Sequence, residues 1–333
     1  MSNHFVGIDV AKDTLAVALW QADGKLSQGE FGNHKTGFKA FRRWLNKHSD
    51  GSVHIALEAT GRYLEHLADF LVAQDNYLVS VVNPARIKKY AESQLNRNKT
   101  DKQDAALIAD FCRTQQPPAW TPPPPEVREL QILARHLDDL QADQQRQRNR
   151  LHALHYATHP APTVKMQLQQ QIDLLATHIA QVKQAIQEHI DRHPDLKQAH
   201  DLLDTINGIA SLTAAKILSE YGDMSQFSDV RQVVAFAGLN PSQRQSGTSI
   251  RGEPAISKMG RPALRAALYM PAIVAKRFDP RMAAFAARLE ARGLRPVEIV
   301  VAIMRKLLHL AYGVLKSGQP YDASYGLSQP AQT

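Results

Sequence analysis

At 333 residues the chain is longer than one hydrophobic core normally supports, so two folded parts joined by a connector are expected. Its apolar content of 44% is that of an ordinary folded protein, and no run approaches the ~20 consecutive apolar residues of a membrane-spanning helix. The net charge of +8 is unevenly spread: residues 1–120 carry 15 Lys and Arg against 13 Asp and Glu, whereas residues 242–277 carry seven basic residues against Glu253 alone, a density that suits nucleic acid or else a solvated basic face.

In chain order, "HFVGIDV", "TLAVALW" and "KLSQGEF" read as three strands, with "QADG" turning a hairpin between the second and third. An amphipathic helix over residues 36–47, a strand "VHIALE", a helix over 62–74, a strand "YLVSVV" and a helix over 100–112 complete an α/β part, residues 1–116. The opening "MSNHFVGIDV" lacks a secretion-signal pattern, and the lone cysteine, Cys112, allows no intrachain disulfide; both suit the cytoplasm, and for a nucleic-acid enzyme the nucleoid. Cys112 itself, in "ALIADFC", reads as a small core residue.

The stretch "QQPPAWTPPPP" has six prolines in eleven residues and reads as an extended connector, about 117–125. Beyond it Leu130, Leu133, Leu137 and Leu140 open a heptad seam that continues through Gln144 and Gln147 to Leu154, and a second seam runs from Leu168 to Ile186. With "HPAP" between them, the two predict an antiparallel coiled-coil hairpin over 126–193, an arm of roughly 40 Å that bridges partners. His152, His155 and His159 on this arm read as solvated side chains, since no fourth metal ligand stands near.

Residues 194–325 read as mainly helical, followed by a tail over 326–333. "LLDTINGIASLTAAKILSEYG" resembles a helix-hairpin-helix around "NGIA", a turn that can hold a DNA phosphate or simply join two core helices. A long polar loop over 240–261 contains "SQRQSGTSIR" and the hydroxyls of Ser242, Ser246, Thr248 and Ser249. Arg244, Arg251, Lys258, Arg261 and Arg265 in and after that loop are candidate nucleic-acid contacts, as are Lys88, Lys89, Arg97 and Lys99 ahead of the 100–112 helix. Tyr269, among apolar neighbours, reads as packed in a core helix.

Four acids stand where a metal site would use them. Asp9 follows "VGI" at the end of the first strand and Glu58 follows "HIAL" at the end of the fourth; Asp101 and Asp104 share one face of the helix that begins there. Hard oxygen ligands of this kind suit Mg2+ for phosphodiester chemistry, whereas N-capping is the plainer role for Asp101. An actin-like nucleotide fold also opens on Gly-Ile-Asp, but the second Asp-Gly phosphate loop it requires is missing from this sequence.

The segments "GIDVAKDTLAVAL", "ALEATGRY", "VVNPARIKKYAES", "NKTDKQDA", "AFAGLNPSQRQSG", "RGEPAISKMGRPALRAALYMPA" and "YGVLKSGQPYDAS" together resemble, in order and spacing, the "one-ten" family of insertion-sequence transposases. These are also called DEDD transposases or bridge-RNA-guided serine recombinases. The resemblance implies an N-terminal RuvC-like domain of the RNase H fold, a coiled-coil insertion and a C-terminal transposase domain. It implies that Asp9, Glu58, Asp101 and Asp104 are the family's four acids, that Ser246 is the nucleophile, and that a structured guide RNA pairs with donor and target DNA. The connector and seams further suggest a homo-oligomer, a dimer assembling to a tetramer, with the site shared between protomers. A junction-resolving nuclease and a non-catalytic DNA-binding scaffold are the alternatives.

Overall fold

The computed structural model describes residues 4–59, 61–94, 100–159, 161–242, 245–246, 250–251 and 255–323, with residues 245, 246, 250 and 251 described as backbone. The chain divides into two compact units, Met1–Pro122 and Pro123–Thr333.

In the first unit, strands β1 (His4–Val10), β2 (Thr14–Trp20) and β3 (Leu26–Gly32) form an antiparallel meander, as their alternation and turn residues predict. β4 (Val53–Glu58) and β5 (Tyr77–Val82) then add parallel to β1, so the sheet order is β3-β2-β1-β4-β5. Helices α1 (Lys35–His48) and α2 (Glu65–Val72) cover one face, where Ile8, Val17, Leu19, Ile55 and Leu57 pack with Phe41, Leu45, Leu67 and Leu71.

The other face carries a different residue set. The pleat sends Gly7, Ala16, Ala18 and Ala56 to it, and helix α4 (Asp101–Gln115) lies on them through Ala105 and Ala109. These small residues let two backbones approach closely: a methyl group added at Gly7 would lie 2.1 Å from the Ala109 nitrogen and 2.3 Å from the Ala105 carbonyl oxygen. Thr100 caps α4 by accepting from the Gln103 N–H, and Gln28 on β3 donates to the Lys102 carbonyl at 3.0 Å. At the far end the Cys112 thiol donates to the His54 carbonyl, and burial pushes that thiol up to about 12, which makes it an inert core group.

Two parts of this unit differ from expectation. Residues Pro84–Ser93 form a helix, α3, that the sequence pattern did not announce; Asn83 caps it by accepting from the Ala85 N–H, and Pro84 occupies the first turn, where its missing N–H costs nothing. The first part of the proline-rich stretch is no free spacer. The Trp120 N–H donates to the Val79 carbonyl at 2.7 Å, and the buried Ser80 hydroxyl, itself 2.8 Å from His54 Nε2, donates to the carbonyls of Pro117 and Pro118. Prolines lack donors but keep acceptors, so this segment docks through its carbonyls.

The second unit is mainly helical. Helices α5 (Pro125–Leu154) and α6 (Pro162–Arg192) run antiparallel, with the Gln144 amide donating to the Ile172 carbonyl at 3.2 Å and His189 to the Glu126 carbonyl at 2.8 Å. Gln144 is therefore a buried, satisfied polar group in the seam, which fixes its register. The base of this pair is not a separate arm: Leu130, Leu137 and Ile186 share one core with the helices that follow. Those are α7 (Pro194–Asp204), α8 (Ser211–Tyr221), α9 (Val230–Phe236), α10 (Pro262–Phe278), α11 (Pro280–Glu290) and α12 (Pro296–Ser317). Among the described residues, six of this unit's eight α-helices begin with proline. The buried Glu220 on α8 accepts from Nε and Nη2 of Arg135 on α5, at 3.1 and 3.0 Å, and locks the base. His152, His155 and His159 at the tip are exposed, as expected.

Candidate active site

Asp9 and Glu58 come together because of strand pairing. β1 and β4 are parallel with Ile8 beside Leu57, so the next residues along, Asp9 and Glu58, are neighbours at the carboxyl ends of adjacent strands. Each lies two residues beyond a small residue, Gly7 or Ala56, and so shares the sheet face that α4 covers. Asp101 and Asp104 occupy the first turn of that same helix, where the helix dipole also favours acids. Thus all four predicted acids belong to one face and one edge of the first unit.

Among the described residues no group of three or more His, Cys, Asp or Glu side chains gathers closely enough to hold a metal ion. Asp9 and Glu58 each already hold an interaction with the surrounding protein. The donor chemistry nevertheless fits Mg2+, which at phosphoryl-transfer sites takes one or two protein carboxylates and fills its octahedron with waters and substrate phosphates. Asp9 and Glu58 are the pair that would hold it.

Asn33 carries no local signal that marks it as part of the site. Its side-chain amide donates to the Ala11 carbonyl at 2.8 Å and to the Tyr63 carbonyl at 3.1 Å, and its own N–H donates to the Asp13 carbonyl. It therefore ties the turn that follows Asp9 to the turn that follows Glu58. Lys88 and Lys89 are exposed on α3, which packs on α4 through Tyr90 and Phe111. Arg97 and Lys99 lie outside the described residues.

In the second unit the polar loop after α9 is partly ordered as ladders. β6 (Pro241–Ser242) pairs with β9 (Ala255–Ile256), and β7 (Gln245–Ser246) pairs with β8 (Ile250–Arg251), Ser246 standing opposite Ile250. Ser246 is thus carried on a narrow hairpin. The base of the hairpin is pinched where Gly238 and Gly260 meet: a methyl group on Gly260 would lie 2.3 Å from the Gly238 nitrogen, and Gly238 has a positive φ of 72°.

Arg265 closes that pinch, donating to the Ala237 carbonyl at 2.9 Å and the Gly260 carbonyl at 3.3 Å. Its Nη1 is thus taken up by backbone carbonyls. Arg261 stands 3.7 Å from the buried Glu220 and over the Phe236 ring, so it too has a structural duty, whereas Lys258 is exposed. Arg244, Thr248 and Ser249 lie outside the described residues, as do the side chains of Ser246 and Arg251.

At the "NGIA" turn Gly208, φ 99°, abuts α10, and a methyl group there would lie 2.6 Å from the Pro271 carbonyl oxygen, so the turn packs closely on that helix. Asn207 beside it donates to the buried Asp279, which also caps α11 and accepts from Tyr321 at 2.7 Å. Tyr269 is not in the core: it is 41% exposed on α10, in a stripe with Met270, Ile273, Val274 and Phe278.

Comparison with known proteins finds two family models along the chain. Residues 6–160 match the model of the DEDD transposases of the IS110 type, and residues 200–287 match that of the transposase IS116/IS110/IS902 family. The chain is similar to the "pilin gene-inverting protein" of Moraxella bovis, 34% identical over 326 residues, covering 97% of this chain and 98% of the relative, and to its counterpart in Moraxella lacunata at the same identity. The IS110 insertion-element 43.6 kDa protein of Streptomyces coelicolor is 28% identical over 150 residues, 44% of this chain and 36% of that protein. No described helix is long and apolar enough to cross a membrane. With family models matched over residues 6–160 and 200–287 and relatives matched along nearly its whole length, the chain belongs to the IS110 family of transposases, DNA recombinases by class.

Proposed function

We propose that this chain exchanges DNA strands through a covalent phosphoserine intermediate formed by Ser246, assisted by Mg2+ at the carboxylates and directed by a structured RNA. The observation that carries the reading is the placement of Asp9 beside Glu58 on the face covered by α4, with Asp101 and Asp104 in the first turn of that helix. The order β3-β2-β1-β4-β5, a meander followed by parallel strands, supports an RNase H-like, RuvC-type reading of the first unit. The antiparallel α5–α6 pair supports the coiled-coil reading of the arm.

When bound, Mg2+ would supply positive charge to the phosphate oxygens of the scissile bond. The chain's own contributions follow from its residues. Asp9 and Glu58 fix where that charge sits, and Asn33 holds the two turns that flank them. The Ser246 hydroxyl attacks phosphorus; the Oγ–P bond forms, the bond from phosphorus to the leaving deoxyribose oxygen breaks, and that oxygen ends protonated. Attack by the hydroxyl of another strand reverses the step and frees the serine, so the ester conserves bond energy and no ATP is required. Inversion, for which the Moraxella relatives are named, and transposition both require DNA strands to be broken and rejoined, which these two steps would accomplish.

The two halves of the site stand on separate units, and we infer that protomers of a dimer, or of a tetramer built from dimers, complement one another. Mixing Ser246→Ala with Asp9→Ala protein tests this: recovered strand exchange supports a shared site, and co-assembly without recovery refutes it. The reaction itself is tested by incubating labelled donor and target DNA with guide RNA and Mg2+, denaturing, and looking for label on protein. An adduct absent in Ser246→Ala supports the proposal; cleavage without adduct favours a junction-resolving nuclease; binding alone favours a scaffold. Omitting the RNA tests guidance in the same assay.

A further inference from the structure

The packing of α11 on α12 leaves a concentration of cations with no role in the site above. A cavity of about 220 Å3 between the two helices has Arg281, Arg288, Lys306 and His309 among its lining residues and no carboxylate. Two of these cations converge on one ring: the Arg288 guanidinium stands 5.9 Å and the Lys306 ammonium 5.3 Å from the centre of Phe285. One ring thereby draws in a planar fork from α11 and a point charge from α12. Next to Lys306, Arg305 keeps its Nε buried without a hydrogen-bond partner. The nearby acid in sequence, Asp279, is taken up by the N–H groups of Arg281 and Met282, by Tyr321 and by Asn207.

We propose that this pocket is a second phosphate-binding site, built from α11 and α12, that takes the sugar-phosphate backbone of a nucleic-acid strand. A guanidinium fork, an ammonium and an imidazole around one small concavity match the geometry of a phosphodiester, which a carboxylate in the lining would repel. The imidazole reports the same field: burial, then Lys306 and Arg305, hold His309 below its ordinary value, while Asp229 opposes them more weakly. An anion seated among the cations relieves that repulsion. The inference rests on the chain's membership of a DNA-acting family and is independent of the serine chemistry. DNA and RNA present the same backbone phosphate, so the test has an arm for each.

The experiment uses full-length protein carrying Ser246→Ala, so that no strand is cut. Binding of labelled duplex DNA, and separately of a structured RNA hairpin, is followed by anisotropy between roughly 50 and 200 mM salt. Arg288→Gln/Lys306→Gln removes two exposed cations of the pocket; Lys165→Gln/Lys183→Gln removes two exposed cations of the α6 helix and serves as control. The expected result is a fall of about 2 in the steepness of log affinity against log salt for the pocket variant, near 1 per phosphate contact. A fall with DNA alone assigns a DNA strand, with RNA alone an RNA strand, and with both a shared backbone site. An unchanged slope with both, or an equal fall in the control, overturns the proposal. As a second readout, inorganic phosphate should shift the His309 imidazole resonances in the unsubstituted pocket and leave them in place in the double variant; no shift in either overturns it.

Discussion

Replacing Gly7 by alanine tests whether the carboxylate site depends on the close approach of α4 to β1. The added methyl group would lie 2.1 Å from the Ala109 nitrogen, 2.3 Å from the Ala105 oxygen and 2.7 Å from the Ile108 carbonyl carbon, all backbone atoms that no rotamer change can move. Ordinary contact is about 3.5 Å or more, so α4 must withdraw by roughly 1 Å. Overpacking of this kind costs about 1–3 kcal/mol, which for a unit of this size lowers the thermal midpoint by on the order of 5–10 °C. The larger effect falls on activity, because α4 carries Asp101 and Asp104 while β1 carries Asp9. A relative displacement near 1 Å costs on the order of 100-fold in rate where positioning matters. Gly313→Ala on α12 is the matched control, since nothing lies within 4 Å of the new methyl group; it should stabilise by about 0.5–1 kcal/mol. Differential scanning and the DNA–protein adduct assay read both quantities. If Gly7→Ala retains adduct formation within about twofold of wild type at a temperature where it is folded, α4 does not set the geometry of the site.

Three other substitutions probe the frame around the site. Burial holds His54 below the ordinary imidazole value of 6.5, so below that pH the unfolded chain takes up a proton that the folded chain refuses. Stability of the first unit is therefore complete above 6.5 and declines as pH falls below it; urea midpoints should show this slope in wild type and a flatter one in His54→Gln. Glu220→Gln breaks the buried pair with Arg135 and should cost about 3 kcal/mol, the low end for such pairs because Arg135 is partly exposed, with no loss if the pair is dispensable. Asp279→Ala removes the α11 cap and strands Tyr321 and Asn207; about 2–3 kcal/mol is expected by chemical denaturation, and a loss under 1 would contradict the hub described here.

Local pattern and long-range contact divided what the sequence could reveal. The meander, β4 and β5 were legible from period-two alternation, and α4 from its cap and its apolar spacing. Helix α3 was not, because Asn83-Pro84 reads equally as the end of a strand and as an N-cap with proline in the first turn. Docking of the proline-rich segment depends on Ser80 and Val79, some 37 and 41 residues earlier, and composition carries no trace of such a pairing. Two-residue strands are too short to show any period, so the hairpin bearing Ser246 read as a plain loop. Tyr269 shows the same limit for side chains: apolar neighbours suggested burial, yet the packing of α10 leaves it exposed.

The acids were legible for a reason that links packing to chemistry. In "VGIDV" and "HIALE" the acid stands two residues after a glycine or an alanine, and on a strand that interval returns to the same face. The small residue lets a helix backbone come down onto the sheet; the acid then stands at the edge of that contact, beside the helix's first turn. A larger residue at position 7 or 56 would hold the helix away and leave Asp9 and Glu58 on an open sheet edge. A small-x-acid pattern repeated on two adjacent parallel strands therefore marks more than two carboxylates: it marks the place of the helix that faces them, and among the described residues of this unit Thr100 followed by Asp101 and Asp104 is the helix start that brings acids of its own to that face.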